Sequence, residues 1–330
     1  MLGTKPSVSV AVGDRASIRL LTCSAMICFA CSSEQRIDGE WVATLSTPPT
    51  YAAGTGPTVW IDEAHNNIVA TTGRYEPFVD VLEADGYVVK ALRSEFTRDA
   101  LVDVQLLVIG SALSDRNLDA WRIIEDGGRP TSPTPTFSAF TDQEIDAIHE
   151  WVFEGGRLLL LTEHMPFAGA AAGLGQRFGF RFLDGFVEDS QTGDPVEFSR
   201  SDGTLLDHPI TRGFDQDTEI DFVATFVGQA FQTEHAAPLM VLGPPAVAFQ
   251  PDIPWDYDDD SPRLSVAGWL QGAAEEVGDG RVVVFGDATM FSAQLTDDGR
   301  PMGMNSEPGA HNLQFLLNVM QWLGGLDGPE

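Results

Sequence analysis

Residues 140–172 read FTDQEIDAIHEWVFEGGRLLLLTEHMPFAGAAA, and this stretch decides the fold. Thr141 stands three residues before Glu144, the spacing of a capping box that starts a helix. Ile145, Ile148 and Val152 share one helical face, and Gly155-Gly156 stop it. Residues 157–162 then carry four consecutive leucines. A strand with no polar alternation has both faces covered, so this one belongs in the middle of a parallel sheet. Small residues follow, and the pattern predicts a second helix over 168–178.

Working outward, the same rhythm recurs. Strands are expected at 58–61, 87–92, 106–109 and 282–285. Helices are expected at 76–84, with Phe78, Val79, Val81 and Leu82 apolar, and at about 310–323, with Leu313, Leu316, Leu317, Met320 and Leu323 on one stripe. Such alternation implies an α/β fold: a mostly parallel sheet with crossover helices on both faces. From about 184 to 262 short strands and turns replace it. Without a long helix, this stretch reads as a β-rich elaboration of a single domain over 57–325. Residues 32–56 contain Thr47-Pro48-Pro49-Thr50 and Gly54-Thr55-Gly56-Pro57 and read as a flexible tether.

All three cysteines, Cys23, Cys28 and Cys31, fall in the first 31 residues. The rest of the chain therefore has no disulfide, no cysteine zinc site and no cysteine nucleophile. Arg15 and Arg19 precede the apolar run 20–30, which is too short for the about 30 Å core of a bilayer but suits the apolar region of a signal peptide. Ala30 precedes Cys31, and polar residues follow. The segment 1–31 resembles a bacterial lipoprotein signal, with Cys31 as the lipidated residue, and places the protein outside the cytoplasm. Plain secretion to the periplasm or beyond is the other reading.

Nineteen Lys and Arg stand against 49 Asp and Glu, a formal charge of −30. Lys5, Arg15 and Arg19 oppose only Asp14 within the first thirty residues, so the remainder is more acidic still. That surface repels phosphate backbones and excludes nucleic acid as a natural partner.

Ligands of open α/β sheets bind beyond the carboxyl ends of the strands. There the sequence places Asp62, Glu63, His65, Asn66 and Asn67, then Ser111, then Glu163 and His164, then Asp287, with Ser292 and Gln294 further on. Glu63, His65, Glu163, His164 and Asp287 are the candidate catalytic residues, and Asp62, Asn66, Asn67, Ser111 and Gln294 the candidate ligand-binding ones. The carboxylates and imidazoles would suit a divalent metal or an acid/base pair. They would equally serve as helix caps that bond one another. The acidic run around Asp256, Asp258, Asp259 and Asp260 lacks the glycine and glutamate of an EF-hand and reads as a solvated loop. No Gly-x-Ser-x-Gly elbow, phosphate-binding loop or His-Glu-x-x-His motif occurs.

With these residues in view, the chain resembles an uncharacterised bacterial family of the class I glutamine-amidotransferase-like superfamily, related to trehalose-utilisation-type proteins and the gliding-motility transporter accessory domain. The resemblance rests on DEAHNN (62–67), GRYEPFVDVLEADGY (73–87), the stretch 140–172, HPITRGF (208–214), GRVVVFGDATMFSAQ (280–294) and MGMNSEPGAHNLQFLLNVMQWL (302–323). It implies a flavodoxin-like sheet and an exported, often lipid-anchored protein. The superfamily's amidotransferases carry a cysteine nucleophile at a strand-to-helix elbow. Here the matching turn holds Thr162, Glu163 and His164, so glutamine hydrolysis by that route is excluded. Three functions remain open: a ligand-binding or accessory domain for a carbohydrate or an envelope complex, a hydrolase or lyase, and an interaction module without a small-molecule site.

Overall fold

The computed structural model describes residues 35–326 except 194 and 259, together with residues 1 and 3. Its main sheet is built on β1 (Thr58–Asp62), β2 (Val88–Leu92), β3 (Leu106–Gly110), β4 (Arg157–Leu161), β5 (Leu270–Val277) and β6 (Gly280–Phe285). These lie in the order β2-β1-β3-β4-β6-β5. Every pairing from β2 to β6 is parallel, whereas β5 runs antiparallel to β6. The order reverses between β1 and β3, and a crevice opens at such a switch point.

The four leucines of β4 explain the layering. Successive side chains of a strand point to opposite faces. Leu158 and Leu160 pack with Ile145, Ile148 and Val152 of α2 (Asp142–Phe153) and with Leu174 of α3 (Phe167–Arg177). Leu159 and Leu161 pack with Phe78 and Val81 of α1 (Glu76–Ala84) and with Phe315, Leu316 and Val319 of α4 (Asn312–Leu323). Each buried leucine is worth about 1.5–3 kcal/mol relative to exposure, so both helical layers are needed. The helices thus lie on both faces, as the alternation predicts. The capping box of α2 is formed: Thr141 and Glu144 satisfy each other's backbone N–H groups.

Two expectations are corrected. The strand β5, LQGAAEEV, has no counterpart in the sequence reading, because Gly272, Ala273 and Ala274 supply neither β-branched nor aromatic signal. Its small side chains fit where Met240 and Phe285 approach the backbone at Gly272. The flexible tether is also wrong for its described part. Residues 35–56 lie against the domain: Arg36–Ile37 pairs with Ala293–Leu295, Trp41, Leu45 and Tyr51 pack on the core, and Asp85 accepts a hydrogen bond from the Thr50 N–H at 2.7 Å.

The expected elaboration contributes the short strands Phe231–Thr233 and Ala237–Val241 to the main sheet beyond β5, and Phe180–Phe182, just ahead of it in sequence, pairs with Phe231–Thr233. A separate small sheet joins Phe186–Asp189, Ala246–Phe249 and Arg263–Ser265. No helix among the described residues is long and apolar enough to cross a membrane. Apart from residues 1 and 3, the signal segment, Cys31 included, lies outside the described residues.

Candidate functional site

The strand-end residues fall into three groups rather than one cluster. In the first, His65 bridges two buried carboxylates. Its Nδ1 lies 2.9 Å from Asp62 Oδ2 and its Nε2 2.8 Å from Glu144 Oε1. The ring stacks on Phe96 at 4.7 Å and tilts against Phe140 at 4.8 Å. Burial opposes protonation of this ring, but Asp62, and after it Glu144, outweigh that and raise its pKa above the ordinary histidine value. Both ring nitrogens are used, so His65 is a cross-link and offers no free nitrogen for catalysis.

That cross-link ties the loop after β1 to α2, and other hydrogen bonds tie the same loop to the loop after β3. The carbonyl of His65 accepts from the Leu113 N–H, and Ser111 and Gly110 carbonyls accept from Ile68 and Val69. Asn66 donates to the Leu113 carbonyl and to Asp115, at 3.1 and 2.8 Å. Asn67 accepts from the His65 N–H at 3.2 Å. Asp62, His65, Asn66 and Asn67 therefore build the support of Ser111 rather than a ligand surface.

Glu63 forms the second group. It accepts from the Thr71 N–H at 2.9 Å and from the Thr71 hydroxyl, and it pairs with Arg93 at 2.7 Å. Burial raises its pKa, but the Thr71 bonds and Arg93 outweigh this and hold it below the usual carboxylate value. It fastens a turn and does not meet Glu163.

The third group is the carboxyl pair at the ends of β4 and β6. Glu163 Oε2 accepts from Ala288 N, Thr289 N and Thr289 Oγ1 at 3.2, 3.2 and 3.0 Å. Asp287 is fully buried and accepts from the backbone N–H groups of Phe226 and Thr289. Burial pushes Asp287 up to about 7 despite those backbone bonds and a hydrogen bond from Glu163. Burial, and then the charge of Asp287, lift Glu163 well above the ordinary range. Two carboxyls this close in a dry site hold a proton between them at neutral pH.

Glu163 also lines a cavity of about 420 Å³ at the carboxyl edge of the sheet. This volume lies in the ~300–1,000 Å³ span of small-molecule sites. Trp121, His164, Phe167, Trp255 and Tyr257 supply aromatic walls, and Tyr75, Ser111, Thr289 and Gln294 polar ones. Arg74, Arg129 and Glu125 bring charge to the lining. His164 donates from Nδ1 to the Met165 carbonyl at 2.7 Å, which leaves Nε2 as an acceptor. It sits between Phe186 and Trp255 at 4.9 and 4.6 Å, and burial depresses its pKa to about 4, so the ring is neutral.

Three polar atoms at this cavity have no protein partner although each is buried: Ser111 Oγ, Gln294 Oε1 and Trp255 Nε1. Ser111 and Trp255, with Val227, also adopt positive φ of 50°, 66° and 78° while lining the same cavity. Strain in side-chain-bearing residues costs about 1–3 kcal/mol each and gathers at ligand sites. Of the expected residues, the structure brings Ser111, Glu163, His164 and Gln294 to the cavity, with Asp287 directly behind Glu163. It leaves Asp62, Glu63, His65, Asn66 and Asn67 outside. Among the described residues no group of three or more His, Cys, Asp or Glu is placed to hold a metal ion.

Sequence reasoning missed Tyr75, Thr289, Trp121, Trp255 and the two arginines. A signal existed for Trp255 and Tyr257: two aromatics two apart inside a loop otherwise rich in aspartate are not a solvated surface. Tyr75 and Trp121 lie in helical turns and read as ordinary core.

No family model matches the chain, and no curated protein matches it. Solved structures do. The mmIFT52 N-terminal domain is similar over 80% of this chain and 96% of its own, with a TM-score of 0.55 and 14% identity. A putative ThuA-like protein from Bacteroides uniformis covers 87% of this chain and 96% of its own, with a TM-score of 0.45 and 12% identity. A β-galactosidase from Bacillus circulans matches 82% of this chain over 31% of its own, at 0.41 and 11%. At these identities the likeness concerns the fold alone, an α/β arrangement with a mixed sheet.

Proposed function

We propose that the chain is an extracytoplasmic, amidotransferase-like domain that lacks the cysteine nucleophile and binds a small ligand of the carbohydrate class, with a flavodoxin-like parallel half as its frame. The observation that carries this reading is the set of buried, unpartnered polar atoms on an aromatic-walled cavity. A buried hydroxyl or amide oxygen without a partner costs about 1–3 kcal/mol, which a ligand hydroxyl would recover. Aromatic rings with a neutral imidazole give flat apolar faces on which the C–H side of a sugar can lie. Lipid attachment at Cys31 would hold this domain at the membrane, within reach of envelope carbohydrate or an envelope complex.

The experiment is direct binding. Titration of the full chain with neutral and acidic mono- and disaccharides, followed by tryptophan fluorescence, is expected to show saturable binding that Trp255→Ala abolishes. Absence of any saturable signal across the panel overturns the reading.

A second reading, a hydrolase or lyase, is favoured by the proton held between Glu163 and Asp287. Glu163 would act as the acid at the cavity wall, and Asp287, which the cavity does not reach, would set its proton affinity. Turnover of a bound sugar that Glu163→Gln removes without loss of binding would select this reading over the first.

A further inference from the structure

The lining of the cavity departs from the acidic balance of the chain. Acidic residues outnumber basic ones 49 to 19 overall. At the cavity, Arg74 and Arg129 stand beside Glu125 and Glu163. Basic and acidic side chains thus stand two to two in that lining. Neither arginine is committed to a tight partner: Arg74 lies 3.6 Å from Glu125 and Arg129 3.4 Å from Asp256, and all four side chains are at least partly exposed. Exposed pairs of this length contribute about 0–1 kcal/mol and exchange partners cheaply.

The unpartnered atoms carry a second, independent message. Trp255 Nε1 is a donor with no acceptor capacity, and it is buried without a partner. An acceptor in the cavity, on a ligand or on a held water, would satisfy it. Ser111 Oγ can donate or accept, whereas Gln294 Oε1 and His164 Nε2 can only accept and call for hydroxyl donors. Ser111 and Gln294 are 2% and 1% exposed, so their missing bonds fall to whatever occupies the cavity, a ligand or held water. Donors that need an acceptor, cations and acceptors that need hydroxyls thus meet on one aromatic-walled space.

From this we infer that the ligand is a sugar acid: its carboxylate meets Arg74, Arg129 and the Trp255 indole N–H, and its hydroxyls meet Ser111, Gln294 and His164. The inference rests on the carbohydrate reading above and narrows it. A neutral sugar would leave the arginines and the indole donor without a matching anion. A simple carboxylic acid would leave the buried acceptors and aromatic faces unused.

The test compares matched pairs by calorimetry on the full chain: D-glucuronate against D-glucose, and D-galacturonate against D-galactose, at low and high salt. The acid of at least one pair is expected to bind ~10-fold or more tightly than its neutral partner, the scale of a charge-assisted contact. That preference should shrink in high salt, because the arginines are accessible to screening ions. The double variant Arg74→Gln with Arg129→Gln changes only exposed or half-exposed side chains. It should reduce the preference to near unity while neutral-sugar binding persists. Trp255→Phe keeps the aromatic face and should weaken the acid more than the neutral sugar.

Equal or tighter binding of the neutral sugar overturns the sugar-acid inference and leaves the carbohydrate reading standing, as does an acid preference that the arginine variant does not change. Failure of every acidic and neutral sugar to bind overturns both.

Discussion

Glu163 and Asp287 share one donor: the backbone N–H of Thr289 lies 3.2 Å from Glu163 Oε2 and 2.7 Å from Asp287 Oδ1. The two carboxyls end the adjacent parallel strands β4 and β6 and are 5% and 0% exposed. Two carboxylates could not both remain charged in so dry a place without several kcal/mol of repulsion and desolvation. The converging N–H groups of Phe226, Ala288 and Thr289 stabilise one negative charge, and a proton removes the other. Tyr75 is held against the same cluster, and burial with the two acids lifts its phenol pKa well above normal.

This pair makes stability fall as pH rises. Both acids bind protons more tightly in the folded chain than in the unfolded one, Asp287 with a value of about 7. Their contribution is complete below the unfolded carboxyl values near 4 and is lost as pH climbs through the folded values. Glu163→Gln mimics the protonated acid, donating to Asp287 without a titration of its own. Urea denaturation should find the variant within about 1 kcal/mol of the parent at pH 5.5. At pH 8 it should be more stable than the parent by roughly 2 kcal/mol, one to two pKa units of linkage. Parallel pH profiles for the two proteins would refute proton sharing. The comparison matters because His164 and His208, both depressed to about 4, push the parent's own profile the other way below about pH 6.5.

The His65 bridge gives a separate signature. Removing the ring as His65→Ala leaves Asp62 and Glu144 buried and facing each other, which costs ~3–5 kcal/mol for a broken buried pair. The loss should be largest at mildly acidic pH. A raised folded value means that the charged ring stabilises fully below about 6.5 and less as pH passes the folded value. Chemical denaturation at pH 6 and pH 9 measures both. A change below about 1 kcal/mol at pH 6 would mean that the bridge is dispensable.

The framework was legible where apolar runs are uniform and helices are long. The four leucines of 157–162, the capping box at Thr141 and the stripe of the last helix each express one physical rule that tertiary contacts do not override. β5 escaped because Gly272, Ala273 and Ala274 make a strand only by pairing between Ala237–Val241 and β6, where Met240 and Phe285 close on Gly272, a fact about neighbours distant in sequence. The site was half legible for the same reason. Strand ends select Ser111, Glu163 and His164 by rule, but they select His65 and Glu63 equally. Only the long-range partners Glu144, 79 residues away, and Arg93 reveal that those two are spent on structure. Trp255 reaches the cavity from a loop whose path no local pattern encodes, and Trp121 from the helix Leu118–Glu125, where it reads as ordinary core.

Membrane attachment is expected to depend on Cys31. In a bacterial host that processes lipoproteins, the full chain should fractionate with membranes, and Cys31→Ala should move it to the soluble fraction or block its processing. A single acyl chain anchors marginally, with a binding constant of about 10⁴ M⁻¹, so stable fractionation also requires the multiple acyl chains of a mature lipoprotein. Labelling with a fatty-acid analogue that persists in Cys31→Ala would remove Cys31 as the site.

Ser111 separates stability from binding. It sits at φ 50°, where glycine is favoured, and its buried hydroxyl has no partner. Neither feature helps the fold. Ser111→Gly relieves the backbone strain and removes the unsatisfied oxygen, gains of about 1 kcal/mol each, against a loss of about 0.5–1 kcal/mol from the freer unfolded chain. The variant should therefore unfold at equal or higher urea concentration than the parent. Ser111→Ala keeps the strain but loses the oxygen, and should be close to neutral. Both should weaken the bound sugar by roughly tenfold, the value of one buried hydrogen bond. A residue kept for folding would show the reverse, with stability falling and affinity unchanged. The opposite signs expected here are the mark of a position strained for its ligand.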